Sequence, residues 1–125
     1  MVFLLNLLTT ERDCKLKELP DSLSNLTKLK FLDINKNLFK EVPKCVYNIT
    51  SLKVLSLYGN NKIKSISKDI ENLTNLETLN ISKTGIKKLP KEIESLPNIR
   101  LIQVDKKLDI SDLSESFIRE KINII

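Results

Sequence analysis

The sequence lacks histidine and tryptophan, and its 125 residues include two glycines and two cysteines. Without histidine there is no imidazole base for a catalytic triad and no histidine-ligated zinc site. Two glycines exclude a glycine-rich phosphate loop, and Cys14 and Cys45 are too few for a four-thiolate metal site or a disulfide framework. We therefore expect no enzyme, no cofactor, no metal and no small-molecule substrate.

Long apolar runs are also missing. The apolar opening, residues 1–8, has neither the basic lead nor the small-residue cleavage site of a signal peptide, and no run is long enough to cross a bilayer. Hydrophobic residues make up 41% and charged residues 30%, which is typical of a folded protein. Two lone cysteines favour free thiols in a reducing compartment. The sequence predicts a cytoplasmic domain without a membrane span.

What the sequence has in abundance is a repeat. A unit with leucine, isoleucine or valine at its first, fourth and sixth positions begins at residues 29, 52, 76 and 99, so the offsets are 23, 24 and 23 (52 − 29, 76 − 52, 99 − 76). The close apolar pair in each unit has the two-residue period of a β-strand. Leu32 and Ile34 are therefore expected to face one side of the strand, and Phe31 and Asp33 the other.

A second half-repeat joins these strands. Leu19-Pro20-x-x-Leu23-x-x-Leu26 matches residues 42–49 and 89–96, whereas residues 66–73 keep the spacing without the proline. Its three-residue step suits a 3₁₀ helix. One turn cannot bury its apolar edge, but stacked turns align their leucines into a continuous core. At the bends between turns, we expect Asn37 and Asn60 to satisfy backbone groups, with Thr84 in the next copy and Cys14 or Asp13 in the first.

These two half-repeats resemble the leucine-rich repeat family, in its intracellular subgroup with L-P-x-x-I-x-x-L return segments, which includes Ras-pathway scaffold proteins. The resemblance covers about residues 5–104. It implies an α/β solenoid with short parallel β-strands on a concave face and 3₁₀ or irregular return segments. Residues 1–108 are predicted to form about five turns with degenerate outer ones, the first of which has a weak strand half at Leu5, Leu8 and Thr10.

The two ends depart from the repeat. Residues 109–125 are predicted to form a C-terminal capping helix, because Ser111-Asp112 reads as a helix start. An apolar stripe follows at Leu113, Phe117, Ile118 and Ile122. No polar cap precedes the apolar residues Phe3, Leu5 and Leu8 at the other end. An oligomer formed through that end is left open.

The outward residues of the strands, which we call the strand face, are the predicted site for another protein. One column is apolar, the next is polar and mostly uncharged, and the third carries an aromatic ring, with lysines beside it at residues 36, 83 and 106. This mixture is typical of a protein-binding patch. The predicted partner-binding residues are Phe31, Asp33, Asn35, Val54, Ser56, Tyr58, Thr78, Asn80, Ser82, Leu101 and Gln103. A non-catalytic interaction module, in the role of a scaffold or a recognition part in signalling, is the function that this pattern favours.

Two other functions stay open. Lys17, Lys40, Lys64 and Lys87 recur at one repeat position, and with the net charge of +5 they are compatible with a binder of nucleic acid or of an anionic membrane. Nearby glutamates and the absence of interleaved aromatics favour a solvated face instead. Asn25, Asn48 and Asn72 each begin an Asn-x-Thr triplet, as in glycosylated extracellular proteins, but their shared column favours a structural role. Cys45 is expected to be exposed on its return segment.

Overall fold

A computed structural model describes residues 3–6 and 15–125, and it confirms the predicted solenoid. Six parallel strands form one open sheet in which every strand lies beside its neighbours in sequence. The strands are β1 (Phe3–Asn6), β2 (Leu29–Asp33), β3 (Val54–Ser56), β4 (Thr78–Asn80), β5 (Leu101–Val104) and β6 (Ile122–Ile124). Of the weak first strand half, Leu5 lies in β1, and Leu8 and Thr10 lie outside the described residues.

The register of the sheet follows the sequence repeat. Leu32 pairs with Leu55, Leu55 with Leu79, and Leu79 with Ile102. These four side chains are at most 1% exposed and form one of the predicted core columns. Burying a leucine or isoleucine fully contributes about 1.5–3 kcal/mol. Stacking is therefore the main source of stability for strands that are as short as three residues.

Short 3₁₀ helices return the chain from one strand to the next, as predicted. They are η1 (Asp21–Asn25), η2 (Lys44–Asn48), η3 (Lys68–Asn72) and η4 (Lys91–Ser95). Proline precedes η1, η2 and η4, and its ring fixes the backbone angle needed for entry into the helix. Ser67 replaces proline before η3, where its hydroxyl accepts a hydrogen bond from the Asp69 amide at 3.1 Å.

Polar side chains satisfy the backbone at the bends, which confirms the predicted role of the buried Asn37 and Asn60 and of the half-buried Thr84. The Asn37 side-chain amide donates to the Ile34 carbonyl at 3.1 Å, and its oxygen accepts from the Leu16 amide at 3.1 Å. The Thr84 hydroxyl donates to the Ile81 carbonyl at 2.6 Å. Asp13 and Cys14, predicted for the same place in the first turn, lie outside the described residues.

Cys45 is buried, and its predicted exposure is wrong. The thiol is 4% exposed and belongs to the core. The matching position of the next turn is the exposed Asp69, so the repeat spacing alone indicated a solvent-facing residue. A small apolar thiol gains free energy from burial, whereas a carboxylate must stay hydrated.

The C-terminal segment contains both a helix and a strand. Helix α1 (Glu115–Lys121) lies within the range predicted for the cap, but the predicted start at Ser111-Asp112 is wrong. The N-cap is Ser114, whose hydroxyl accepts from the Phe117 amide, whereas the Ser111 amide and hydroxyl bond to the Asp109 carboxylate in a turn before the helix. Leu113 and Phe117 are buried, and Ile118 and Ile122 pack against the core. Strand β6 then extends the sheet beyond β5, which the sequence did not predict. The division of the chain at residues 108 and 109 stays a prediction.

Candidate functional site

The strand face carries three columns, and the first is mostly apolar. Its members point away from the core and lie beside one another in register. They are Phe31, Val54, Thr78 and Leu101, all of them half-buried. Neighbouring strands lie about 4.8 Å apart, so the four side chains form a continuous stripe.

The second column is polar, and it has the same register. It consists of Asp33, Ser56, Asn80 and Gln103, which are also half-buried. Asp33 is the one charged member, and its carboxylate accepts a hydrogen bond from the Asn35 amide at 3.0 Å. The Asn80 side-chain oxygen accepts in the same way from the Ser82 amide, also at 3.0 Å. These local bonds fix the chain where it leaves the strands.

The third column lies just beyond the strands, and one of its predicted binding residues is closed to solvent. Asn35 and Tyr58 are half-buried, whereas Ser82 is 1% exposed. The Ser82 hydroxyl donates to the Asn80 side-chain oxygen at 2.8 Å. Its short side chain therefore supports the bend instead of meeting a partner. The structure brings the other predicted residues together on one surface.

The chain turns sharply at the next position of each unit. Lys36, Gly59 and Lys83 have backbone φ angles of 54°, 81° and 58°, in the left-handed region. Their amides bond to the following turn: Lys36 donates to the Tyr58 carbonyl at 2.7 Å, Gly59 to the Ser82 carbonyl at 3.1 Å, and Lys83 to the Asp105 carboxylate at 2.7 Å. Glycine adopts this conformation without steric strain, whereas a lysine in it is strained by its Cβ atom.

These bends open into a groove of about 630 Å³ at the carboxyl ends of the strands. We call it the lysine groove, and the residues that define it are Lys36, Tyr58, Lys83, Asp105, Lys106 and Lys107. The Lys36 ammonium lies 5.9 Å from the centre of the Tyr58 ring, within cation–π range. The sequence showed lysines in this column but not the groove, because the groove depends on the left-handed bends.

The recurring lysines Lys17, Lys40, Lys64 and Lys87 are all exposed. Lys17 and Lys40 line a separate depression of about 540 Å³ together with Lys62 and Glu41. The glutamate offsets part of the positive charge there, as expected for a solvated face. No aromatic ring among the described residues lines the depression, so it offers none for stacking on a base.

The described residues offer little for catalysis. No group of three acidic or cysteine side chains within the described ranges is placed to hold a metal ion. Burial raises the pKa of the Cys45 thiol, and the nearby Asp21 carboxylate adds to the effect, so Cys45 is a poor nucleophile. Glu77 forms ion pairs with Lys53 at 3.8 Å and Arg100 at 3.6 Å, which fit a structural role. Among helices in the described part of the chain, none is long and apolar enough to cross a membrane.

Comparison with known proteins identifies the repeats. A family model described as Leucine Rich repeats (2 copies) matches residues 27–73 and 50–98. A leucine-rich repeat protein of Leptospira interrogans is similar in structure, with a TM-score of 0.66 and 40% identity over 69% of this chain and 22% of that one. The plant peptide hormone receptor RGFR1, solved in complex with RGF2, is similar with a TM-score of 0.63 and 27% identity, over 71% of this chain and 15% of that one. Curated protein sequences gave no match.

The chain therefore spans less than a quarter of the length of either solved protein. The matched residues contain β2, β3 and β4 and the return helices η2, η3 and η4, which carry most of the central core. Such repeats generally serve protein interaction and not catalysis. The chain belongs to the leucine-rich repeat family.

Proposed function

We propose that this chain is a non-catalytic interaction module that binds another protein on its strand face. The observation that carries the proposal is the in-register, mostly apolar column of Phe31, Val54, Thr78 and Leu101 on the open side of the sheet. An apolar stripe beside polar, mostly uncharged residues matches the composition of protein interfaces. Phe31 and Tyr58 supply the aromatic anchors that concentrate binding energy.

The strand face is also held in one shape before any partner arrives. Asp33 and Asn80 fix the backbone after their strands through hydrogen bonds to the Asn35 and Ser82 amides. The Ser56 hydroxyl bonds to the Asn35 side chain in the neighbouring turn. A surface that is already ordered loses less conformational entropy on binding, which favours a higher affinity for the same contact area.

The role of the module and its location in the cell are proposed from the repeat sequence and from the similarity to a receptor. A scaffold or recognition part in signalling fits the L-P-x-x-I-x-x-L return segments and the similarity to a receptor solved in complex with RGF2. A cytoplasmic location fits the two-cysteine composition. Cell fractionation tests the location. Secreted protein whose mass is increased by glycans at Asn25, Asn48 and Asn72 would instead favour an extracellular recognition role.

The binding site is tested by capture from a lysate of the source organism on immobilised protein. We compare wild type with a triple variant, Phe31→Gln, Val54→Gln and Leu101→Gln, which removes apolar surface and leaves the net charge unchanged. Leu26→Gln is the matched control, because Leu26 is 44% exposed and lies outside the strand face. Circular dichroism checks that all variants fold.

A protein captured by wild type and by Leu26→Gln, but not by the triple variant, supports the proposal. Equal capture by all three overturns it. If the captured material is nucleic acid, and it elutes between low and moderate salt, the basic-surface alternative is favoured, because phosphate binding weakens steeply as salt rises. An apolar protein interface responds much less to salt.

A further inference from the structure

The lysine groove concentrates positive charge at one end of the strand face. Its lysines come from the segments that follow three different strands: Lys36 after β2, Lys83 after β4, and Lys106 and Lys107 after β5. The stacking of the turns thus brings together side chains that are up to 71 positions apart (107 − 36). Tyr58, from the segment after β3, adds an aromatic ring between them.

Among the residues that the structure describes, no carboxylate forms an ion pair with these lysines. The ion pairs among the described residues are Lys53–Glu77, Lys88–Asp112 and Arg100–Glu77, and the groove lysines take part in none of them. Asp105 is the acidic side chain that lines the groove, and its carboxylate accepts a hydrogen bond from the Lys83 backbone amide at 2.7 Å. The side chains that line the groove sum to about +3, from four lysines and one aspartate (4 − 1), and the terminal carboxylate of Ile125, which also lines it, lowers this to about +2 in the 125-residue chain (3 − 1).

The groove is also continuous with the strand face. Tyr58 belongs to both, and Lys36 and Lys83 directly follow the third-column residues Asn35 and Ser82. A peptide that crosses the apolar column can therefore extend into the groove. The bends at Lys36 and Lys83 are fixed by bonds from their backbone amides to the next turn, so the backbone positions from which these two side chains extend are set before binding.

We propose that the lysine groove binds an acidic segment of the partner protein, with its glutamate or aspartate side chains between the four ammonium groups and a neighbouring side chain against Tyr58. The inference rests on the proposed function and specifies the chemistry of the partner. Ammonium groups attract carboxylates and increase the rate of encounter as well as its specificity. The cavity has the size of a site for a few side chains.

Single-stranded nucleic acid fits the same groove less well. A nucleic-acid channel combines a track of basic residues with several rings on which successive bases stack. Of the described residues, Tyr58 is the one aromatic residue that lines this groove, and Lys36 already lies within cation–π range of its ring. The Asp105 carboxylate adds repulsion for phosphate, but a peptide can meet it with a backbone amide or a hydroxyl group.

The test measures fluorescence anisotropy of a fluorescein-labelled decapeptide that alternates glutamate and glycine, with purified full-length chain. The groove variant carries Lys36→Asn, Lys83→Asn, Lys106→Gln and Lys107→Gln. Asparagine is chosen at the two left-handed positions because it tolerates that conformation. The control variant carries Lys28→Gln, Lys44→Gln, Lys68→Gln and Lys91→Gln, which are exposed lysines outside the groove.

Both variants change the net charge from +5 to +1 (5 − 4), so they differ in the position of the lost charge and not in its amount. We expect the groove variant to bind the peptide about tenfold more weakly or worse, and the control to stay within about twofold of wild type. In wild type, we also expect the largest amide chemical-shift changes at Gly59, Lys83 and Lys106. Equal weakening in both variants overturns the proposal, because attraction would then depend on net charge alone.

Two further probes make the result specific. A decapeptide of glutamine and glycine is expected not to bind, and oligothymidylate of the same charge is expected to bind more weakly than the acidic peptide. If wild type instead binds oligothymidylate more tightly than the acidic peptide, and the groove variant loses this binding, the groove is a nucleic-acid site and the inference is overturned. The Phe31, Val54 and Leu101 triple variant keeps all four groove lysines. Partner capture by that variant therefore tests the strand face, whereas peptide binding tests the groove. Either proposal can fail while the other holds.

Discussion

Asn60 links two turns of the solenoid through one side-chain amide. Its nitrogen donates to the Ile34 carbonyl of the preceding turn at 2.8 Å and to the Leu57 carbonyl of its own turn at 2.9 Å. The residue is fully buried, so water cannot replace either bond. The stack thus depends on a directional polar contact as well as on its apolar columns.

Replacement of this amide should be costly. Asn60→Ala removes both side-chain bonds, although the Ile34 carbonyl keeps the Asn37 amide and the Leu57 carbonyl keeps the backbone amide of residue 60. We therefore expect the free energy of unfolding to fall by the net value of two buried hydrogen bonds, about 1–3 kcal/mol. Asn75→Ala is the matched control, because the Asn75 amide also bonds to the preceding turn, at the Thr50 carbonyl, but on the exposed surface. We expect that control to lose less than about 1 kcal/mol. Equal losses in urea-induced unfolding would show that burial does not set the cost.

Substitutions at two of the left-handed bends should change the free energy of unfolding in opposite directions. Lys83 has a φ angle of 58°, and Lys83→Gly removes the strain of a side chain in that region. We expect a gain of about 0.5–1 kcal/mol in the free energy of unfolding. Gly59→Ala should instead lose about 1–2 kcal/mol, because the new Cβ would lie 2.9 Å from the Lys36 Cγ atom at a φ angle of 81°.

Lys62→Gly is the control for the bend. Lys62 is exposed, and its φ angle is not positive, so glycine brings only its greater freedom in the unfolded chain. We expect Lys62→Gly to lower the free energy of unfolding by about 0.5–1 kcal/mol. A loss of similar size for Lys83→Gly would contradict the argument from strain.

Two buried acids predict a loss of stability in alkaline solution. Burial raises the pKa of the Cys45 thiol above its ordinary value of 9.0, and burial likewise raises the pKa of the Tyr47 hydroxyl above 10.0. Above these ordinary values the unfolded chain releases protons that the folded chain keeps. The unfolded state then binds fewer protons, so the free energy of unfolding falls as pH rises through the folded pKa values. Below the unfolded values this contribution to stability is fully present.

Tyr47→Phe separates the tyrosine part of this effect. The Tyr47 hydroxyl oxygen accepts from the Ser67 amide at 3.0 Å, so the variant should lose about 1 kcal/mol at neutral pH. Its alkaline loss, measured by urea unfolding between about pH 8 and pH 11, should be shallower than that of wild type. Parallel curves for the two proteins would exclude Tyr47 as a source of the pH dependence.

The sequence predicts this fold well because the residues that define the repeat are also the residues that form the core. Leu32, Leu55, Leu79 and Ile102 are spaced by the length of one turn, and that spacing places them in one buried column. The 3₁₀ helices follow in the same way from the three-residue step of the return segments. Asn37 and Asn60 were identifiable because one repeat position requires a side chain that bonds to the backbone.

What escaped prediction depends on neighbouring turns and not on the repeat. Ile122 fits the apolar stripe of a helix, yet it begins β6, because the exposed edge of β5 offers backbone partners to an extended segment. Ser82 and Cys45 occupy positions that the repeat places at the surface, and small size allows both to be covered. The lysine groove likewise arises where three left-handed bends lie side by side.

A substitution in the C-terminal segment tests how far a loss of stability spreads along the stack of turns. Phe117 is 8% exposed and belongs to the core, so Phe117→Ala should cost about 3 kcal/mol. Each turn of a solenoid contacts only its neighbours, so the loss should stay local. In hydrogen exchange, the Ile125 amide, which bonds to the Val104 carbonyl, should lose protection, whereas the Leu57 amide, which bonds to the Asn80 carbonyl, should keep it. Ile118→Ala, at a half-buried position on the same helix, should have a smaller effect at the same amides. Uniform loss of protection from β2 to β6 would mean that the stack unfolds as one unit and that Phe117 supports all of it.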